Sequence, residues 1–568
     1  MQGQPENGSE KRLAPLWGLL GLFLALLPAL LRGGLALDDQ ELLFANPATG
    51  GALPIWEVFT RDYFHHLGDS GQWRPMATLS LRLDRWLFGG WIPGYHLSNG
   101  LLQVAVVGCA YGLGRGAGLG RRALCLGLVI FALHPALADS VVWIAGRTSM
   151  LSALFPLAGA WMSLHWLRAK APTGWLPNWR HLPAALGLLL GLLAKEDALI
   201  FCAMLPLIGG RLSRNAGWSL LGTALLTLGV YLIGRHLALG CALPQAISPA
   251  LGNRTLLERL PVGGAIWLES LRLAVLPTDF PPQYREWFLF ERVSWWRSPL
   301  MGWLLFFAPL AVVLAKRRLS VASSAVLLAV FALLPVTQLV PLGEIFAPRF
   351  LYLPLLFLSV PVGLGLASWL PSGQTNKALL GLALVLSCAL HWRAEVYSGK
   401  QAWLDAMLQQ QPADVPALNS LGLHLEEQGQ AQDAIQLWLQ ATRLDPKYSR
   451  PWSNLGRVQM AQGDLDGAEE SLRMALRAGP KNPVPRVNLA TLLTRQGEHA
   501  QAVELYREAT RLSPGLGAAW RGLGLALVKL GQLDAARSSL EKALQLDPGD
   551  ALAKEQWRRI SPPQQTHD

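Results

Sequence analysis

The chain has 568 residues, 51% of them apolar and 15% charged, with a formal net charge of +11. Soluble globular chains carry about 25% charged residues, so composition excludes an ordinary soluble protein throughout. Residues 1–412 hold 31 Lys and Arg against 20 Asp and Glu, whereas residues 413–568 hold 18 of each. The basic excess sits wholly in an apolar context, which fits lipid or lipid phosphate and argues against nucleic acid as a partner.

In chain order, apolar runs of spanning or near-spanning length occur at 13–31, 97–114, 122–138, 148–167, 182–194, 198–210, 217–238, 299–315, 320–340, 350–370 and 378–392. Each predicts a membrane helix. Runs 182–194 and 198–210 are short and predict half-length helices meeting inside the membrane. The first run, with Lys11-Arg12 before it and Gly34-Leu35-Ala36 behind it, also fits a cleavable signal peptide, which would leave Asp38 beside a free N-terminus. The five cysteines (Cys109, Cys125, Cys202, Cys241, Cys388) form no CxxC pair and read as small buried hydrophobes.

Cations orient these runs. Lys11-Arg12, Arg115, Arg121-Arg122, Arg168, Lys170, Arg180, Arg211, Arg214, Lys316-Arg317-Arg318 and Lys377 fall in alternate short loops. After Glu10 none of those loops contains a carboxylate. Positive residues stay in the cytoplasm, so the long loops 32–96 and 239–298 lie outside. An odd number of spans then places the C-terminal domain outside too; one miscounted run, such as 198–210 or 262–276, would reverse that. Trp267, Trp287 and Trp295-Trp296 read as an interfacial aromatic belt or a carrier-lipid contact, and 262–276 as an interfacial helix over a cavity.

From residue 413 the pattern changes. Pro412, Pro446, Pro480, Pro514 and Pro548 recur every 34 residues, as do Gly429, Gly463, Gly497 and Gly531. Ala434, Ala468, Ala502 and Ala536 repeat likewise, and so do Ala441, Ala475, Ala509 and Ala543. A 34-residue helix-turn-helix period is the TPR signature. Four units are predicted, 413–446, 447–480, 481–514 and 515–548, with a solvating cap helix over 550–560. The predicted organisation is a membrane domain over 1–398, a connecting helix or linker over 399–412, repeats over 413–548, and a cap and tail over 549–568. The fold class is all-α: a polytopic domain of about eleven helices followed by an α-solenoid.

The chemistry-bearing candidates lie on the outer side. Asp38 and Asp39 follow the first span directly. One carboxylate can act as general base on an acceptor hydroxyl while the other holds the acceptor or tunes the first. A solvated loop start is the bland alternative. Lys195 lies between two short apolar runs, where a charge needs an anionic partner: an anion brought by a ligand, or its neighbours Glu196 and Asp197. Arg147 and Arg349 stand near span starts on the same side and would clamp a departing phosphate, or snorkel as anchors. His134 either faces a cavity or caps its span. His65-His66 and His96 lack the spacing of a metal site, so no metal and no cofactor are predicted.

Read in order, the motifs resemble a known family. They are Asp38-Asp39, Asp62-Tyr63-Phe64, Trp73-Arg74-Pro75-Met76, Asp84, Pro93-Gly94-Tyr95-His96, Phe131-Ala132-Leu133-His134-Pro135, Ile144-Ala145-Gly146-Arg147, Ala194-Lys195-Glu196 and Arg349-Phe350-Leu351-Tyr352-Leu353-Pro354, followed by the repeats. This order resembles the GT-C membrane glycosyltransferases, and within them the transmembrane-and-TPR protein O-mannosyltransferases. One departure is Pro348, where the family has Glu; Glu344 stands slightly earlier. The resemblance implies inverting transfer of a hexose, mannose by default, from a polyprenyl- or dolichyl-phosphate-sugar to protein Ser or Thr. It places Asp38 as base with Asp39 as partner, and Lys195, Arg147 and Arg349 on donor phosphate. Arg74, Asp84, His96, His134, Glu196 and Tyr352 become candidate cavity residues. The expected partners are the lipid-linked sugar, an acceptor polypeptide in the TPR groove and membrane lipid. The expected location is a bacterial inner membrane, with the site facing the periplasm, or the endoplasmic reticulum, with the site facing the lumen. A non-catalytic TPR scaffold, an enzyme acting on a glycan or lipid, and a transporter are the competing classes.

Overall fold

The computed structural model describes residues 8–36, 39–63, 71–169, 176–210, 212–241, 255–285, 299–314, 320–339 and 344–561. The regular secondary structure of the described residues is all helical, with a single isolated β-bridge between Tyr284 and Phe346. The all-α reading therefore holds. The chain divides into two units between Ala406 and Met407.

The first unit contains α1 (Gly8–Arg32), α2 (Pro75–Phe88), α3 (Ile92–Gly116), α4 (Arg121–Leu133), α5 (Arg147–Ala169), α6 (Leu182–Leu192), α7 (Ile200–Gly210) and α8 (Arg214–Leu239). It continues with α9 (Leu256–Val275), α10 (Pro299–Leu314), α11 (Val321–Leu333), α12 (Tyr352–Trp369) and α13 (Thr375–Ala394). Among the described residues, five helices are long and apolar enough to cross a bilayer: Ile92–Gly116, Arg147–Arg168, Arg214–Leu239, Pro348–Trp369 and Ser372–Tyr397. The pair Arg121–Leu133 and Pro135–Val141, bent by 53°, makes a sixth. Helices α6 and α7 have 11 residues each. At about 1.5 Å per residue, such a helix reaches roughly half of a ~30 Å hydrocarbon core.

Glycine sets how closely these helices approach. A Cβ on Gly127 would strike the Ser359 carbonyl, and one on Gly363 the Ala123 carbonyl, so α4 and α12 cross backbone to backbone. Gly159 with Gly187 does the same for α5 and α6, and Gly264 with Gly302 for α9 and α10. Hydrocarbon gives no hydrophobic drive for helices to associate, so close van der Waals contact at small residues does that work. Leu225, Leu226, Val230, Ile233 and Leu237 of α8 stay exposed, as on a helix facing lipid. The cysteines are less buried than their apolar surroundings imply: four are half-buried and Cys388 is exposed.

The second unit pairs α14 (Val415–Glu427) with α15 (Ala431–Leu444), α16 (Ser449–Gln462) with α17 (Leu465–Ala478), α18 (Pro483–Gln496) with α19 (His499–Leu512), and α20 (Gly517–Lys529) with α21 (Leu533–Leu546). Helix α22 (Ala551–Ile560) follows, N-capped by Asp550. Gly429, Gly463, Gly497 and Gly531 have φ of +82°, +87°, +87° and +73°, the left-handed region that lets each first helix end and the chain reverse. All eight periodic alanines are 0% exposed. A Cβ on Gly422 would meet Trp438, and one on Gly456 would meet Leu472, so small residues bring each pair together. Successive first helices are laced by polar contacts: Asn454 donates to Asn419 Oδ1 (2.9 Å) and Asn488 to Ser453 Oγ (3.0 Å).

Candidate active site

The site is built around the irregular segment 134–147, where the chain leaves α4. Pro135 cannot continue the helix. His134 closes it instead, its Nδ1 accepting from the Ala136 amide at 3.3 Å, while its Nε2 reaches the Ala274 carbonyl at 3.3 Å. Backbone freed from a helix at membrane depth needs partners. One face of α3 supplies them. His96 Nδ1 donates to the Val142 carbonyl at 2.8 Å, which sets its tautomer. Asn99 donates to the Val141 and Trp143 carbonyls at 3.2 and 3.0 Å. Gln103 donates to the Ala132 carbonyl at 3.3 Å and in turn accepts from the Tyr352 hydroxyl. His134, His96 and Tyr352 thus support the segment's backbone.

Two of the predicted residues meet this segment from distant parts of the chain, and a third reaches Ser149, two residues beyond it, so that all three converge on residues 139–149. Asp39 is 1% exposed; its two carboxylate oxygens accept from the Ala36 amide (3.0 Å) and the Ala145 amide (3.1 Å). It thereby ties the start of the loop after α1 to the segment. Asp38 lies outside the described residues. Arg349 donates from Nη1 and from its backbone amide to Asp139 Oδ2, at 3.1 and 3.2 Å, and from Nη2 to Glu344. Lys195, between α6 and α7, holds Ser149 Oγ at 2.8 Å and Asp197 at 2.9 Å. Lys195 Nζ and the Arg349 guanidinium lie 5.9 and 5.6 Å from the centre of the same Phe350 ring, and Arg349 also stands 5.2 Å from the Trp143 ring. Two cations against one aromatic ring, next to a buried carboxylate, form a place where an anionic group can be held.

Other predicted residues are placed differently. Arg147 is 1% exposed and fully engaged: its Nη1 pairs with Asp84 at 2.6 Å, its Nη2 donates to the Tyr95 carbonyl at 3.1 Å, and its Nε donates to the Ile144 carbonyl at 3.3 Å. Asp84 also accepts from Ser98 Oγ at 2.7 Å. This buried pair joins α2, α3 and the start of α5, and it presents no donor to a ligand. Arg74 and Glu196 belong to a second cluster beside Lys195. Glu196 pairs with Arg235 of α8 at 3.0 Å and with Arg74 at 3.9 Å. Trp267 is buried against Phe306, with ring centres 5.0 Å apart, and so is an internal packing residue of α9 and not an interfacial one. Trp287 and Trp295-Trp296 lie outside the described residues.

Three site residues escaped the sequence candidates. Asp139 closes the run after His134-Pro135, and its spacing from Arg349 gives no local signal. Arg235 carried one: an arginine inside the apolar run 217–238 needs a partner. Glu344 marked the departure from the family motif, and it meets Arg349 from four positions before Pro348. A strap from α9 to Phe346 reinforces this end. Glu269 of α9 takes Arg272 in a two-point pair at 2.8 and 2.6 Å and accepts from the Tyr284 hydroxyl at 2.6 Å. The Tyr284 amide donates to the Phe346 carbonyl at 3.0 Å, and Gln283 donates to Glu344 at 3.1 Å.

Comparison with known proteins finds relatives over part of the chain. The family model for the tetratricopeptide repeat matches residues 402–483 and 487–551. "Protein O-mannosyl-transferase Tmtc1" of Drosophila melanogaster is 32% identical over 151 residues, 26% of this chain and 18% of that protein. "Protein O-mannosyl-transferase tmtc2" of Xenopus laevis is 37% identical over 124 residues, 21% of this chain and 15% of that protein. "Protein O-mannosyl-transferase TMTC4" of Homo sapiens is 28% identical, covering 22% of this chain and 19% of that protein. The alignments thus span less than a fifth of these relatives' length. Among solved structures, the crystal structure of MamA protein covers 26% of this chain and 81% of its own at 24% identity, with a TM-score of 0.23. The chain is similar, over part of its length, to curated proteins named as protein O-mannosyl-transferases, and it carries tetratricopeptide repeats.

Proposed function

We propose that the chain is an integral-membrane glycosyltransferase that moves a hexose, mannose by resemblance, from a polyprenyl-phosphate-sugar to Ser or Thr hydroxyls of proteins outside the cytoplasm. The observation that carries this reading is the convergence of Asp39, Arg349 and Lys195 on the segment 139–149. In this reading Lys195 and Arg349 bind the donor phosphate across Phe350. As the bond between the anomeric carbon and the phosphate oxygen breaks, charge grows on the phosphate, and fixed cations stabilise that charge most in the transition state. The acceptor hydroxyl attacks the anomeric carbon from the opposite face, which inverts it. Its proton passes to a carboxylate of the Asp38-Asp39 pair. Asp39, fixed by two amides, positions the loop, and Asp38 is the base. The repeats present the acceptor polypeptide. No step draws on a metal or a cofactor.

Full-length protein with synthetic polyprenyl-phosphate-mannose and a Ser/Thr-rich peptide tests this reading. Transfer should fall at least about a hundredfold in Asp38→Asn, the loss typical of removing a general base. Asp39→Asn should lower it too, by misplacing that base. Full activity in both folded variants would remove the pair from the mechanism, and no transfer by the wild type from any monophosphate donor would favour the scaffold reading.

A further inference from the structure

A charge inside a helical bundle is costly unless it is paired. The buried cations Lys195, Arg235 and Arg147 meet Asp197, Glu196 and Asp84, and Arg349 meets Asp139 and Glu344. Arg393, in the last turn of α13, departs from this pattern. It is 8% exposed, its Nε and Nη2 are buried without a hydrogen bond, and it pairs with no carboxylate among the described residues. Its guanidinium lies 4.0 Å from the centre of the Phe280 ring. An aromatic face attracts a cation, but it neither cancels the charge nor satisfies the N–H groups at the guanidinium edge.

Other unmet groups stand with it. The Tyr397 hydroxyl, one turn beyond Arg393, is buried without a formed hydrogen bond and lies within electrostatic reach of Arg393, Arg349 and Asp139. The Trp143 indole N–H is unmet, although its ring lies 5.2 Å from the Arg349 guanidinium. Ser140 Oγ and Asp139 Oδ1 complete the set. The same end of α13 is tied to the loop that carries Asp39, because the Gly34 amide donates to the Tyr397 carbonyl at 2.8 Å. Arg393 and Trp143 can only donate, the two hydroxyls can do either, and Asp139 Oδ1 alone only accepts. Buried groups of this kind call for a guest rich in acceptors. Water accepts from such donors but leaves the guanidinium charge uncancelled. An anion with several oxygens does both.

We infer that Arg393, assisted by the Tyr397 hydroxyl and the Trp143 indole N–H, is a further ligand of the donor phosphate. This rests on the reading of Lys195 and Arg349 as donor-phosphate ligands. Arg349 is common to both groups of donors: its guanidinium stands against the Phe350 ring that it shares with Lys195, and against the Trp143 ring. A phosphate diester has two oxygens without substituents, so one serves Lys195 and Arg349 while the other serves Arg393. The unpaired charge of Arg393 then destabilises the empty protein, and the donor relieves it on binding. A cation kept only for structure would act in the opposite sense, since its loss would weaken the empty protein.

Thermal unfolding of the full-length protein in detergent, with and without polyprenyl-phosphate-mannose, and titration with the same lipid test this in Arg393→Met, Arg393→Lys, Tyr397→Phe and Lys195→Ala. Without lipid, Arg393→Met should unfold at the wild-type temperature or above, because a buried unpaired charge is gone. Its affinity for the lipid should fall about ten- to a hundredfold, the scale of one hydrogen bond to a charged group. Arg393→Lys should recover part of that loss, and Tyr397→Phe should weaken binding about threefold, as for a neutral donor. Wild-type affinity in Arg393→Met while Lys195→Ala loses binding would overturn the inference. An empty Arg393→Met that unfolds well below wild type would make Arg393 a structural cation and overturn it too. Phosphatidylglycerol is a phosphate diester without the sugar; an equal dependence of its binding on Arg393 would assign the residue to membrane lipid instead. If wild type does not bind polyprenyl-phosphate-mannose, or Lys195→Ala binds it as well as wild type, the donor-phosphate reading itself fails.

Discussion

The two units place charge in opposite ways. In the repeat unit, ion pairs lie at the edge of the packing: Arg457 grips Glu426 at two points, yet the side chains are 39% and 22% exposed. The interior is apolar, chiefly alanine, glycine and leucine with Trp438 and Tyr506. In the membrane unit apolar residues fill the interior and also cover the outside, as Leu225 and Leu237 of α8 do, and the interior holds charged pairs as well, with Arg147 and Asp84 at the extreme. A solenoid in water is held by excluding water from small apolar contacts. A helical bundle in hydrocarbon gains nothing that way, so buried polar pairs and backbone-close glycine crossings define its arrangement.

Substitutions that exchange the roles of charge and small residues should break the units to different extents. The largest effect is expected for Arg147→Ala, which strands Asp84 in the interior. Loss of one partner of a buried pair costs about 3–5 kcal/mol, so the full-length protein should lose its cooperative unfolding transition in detergent, or unfold at a much lower temperature. Next comes Gly264→Leu, where the new side chain meets the Pro299 carbonyl across α9 and α10. Overpacking of this kind costs about 1–3 kcal/mol, and protease sensitivity of the strap from α9 to Phe346 should rise with it. In the repeats, Gly497→Val forces a branched side chain to φ near +87°, at a cost of roughly 1–2 kcal/mol, readable as a shift in urea midpoint. The smallest effect is expected for Arg457→Ala, under about 1 kcal/mol and further reduced by salt. An Arg457 effect as large as that of Arg147 would erase the contrast between the units.

This contrast also decides what the sequence reveals. The repeat unit's contacts form within one period or between neighbouring periods, so Ala468, Ala475 and Gly463 announce their roles by recurrence. Helix existence in the membrane unit was legible for the same reason: an apolar run is a local property. Ion pairing was not. Asp139 meets Arg349 from 210 positions away, and no spacing rule relates the two. Arg147 looked available because the sequence shows its charge but not Asp84, which reaches it from a different helix. Asp39 was found as half of a pair, yet its bond to the Ala145 amide, which makes it part of the segment 139–149, depends on the fold alone. Lys195 and Arg349 were both candidates, but their shared contact with the Phe350 ring depends on the fold alone.

The central claim is that Lys195 and Arg349 act together on one donor phosphate. The most direct measurement is a double-mutant cycle on sugar transfer: wild type, Lys195→Ala, Arg349→Ala and the double variant, with polyprenyl-phosphate-mannose and a Ser/Thr peptide. Each single change should lower the transfer rate by about a hundredfold or more, as when one fixed donor to a developing charge is removed. The double change should lower it by clearly less than the product of the two, because both residues serve one phosphate. Singles that keep the wild-type rate in folded protein, or losses that simply multiply, would contradict a shared phosphate site.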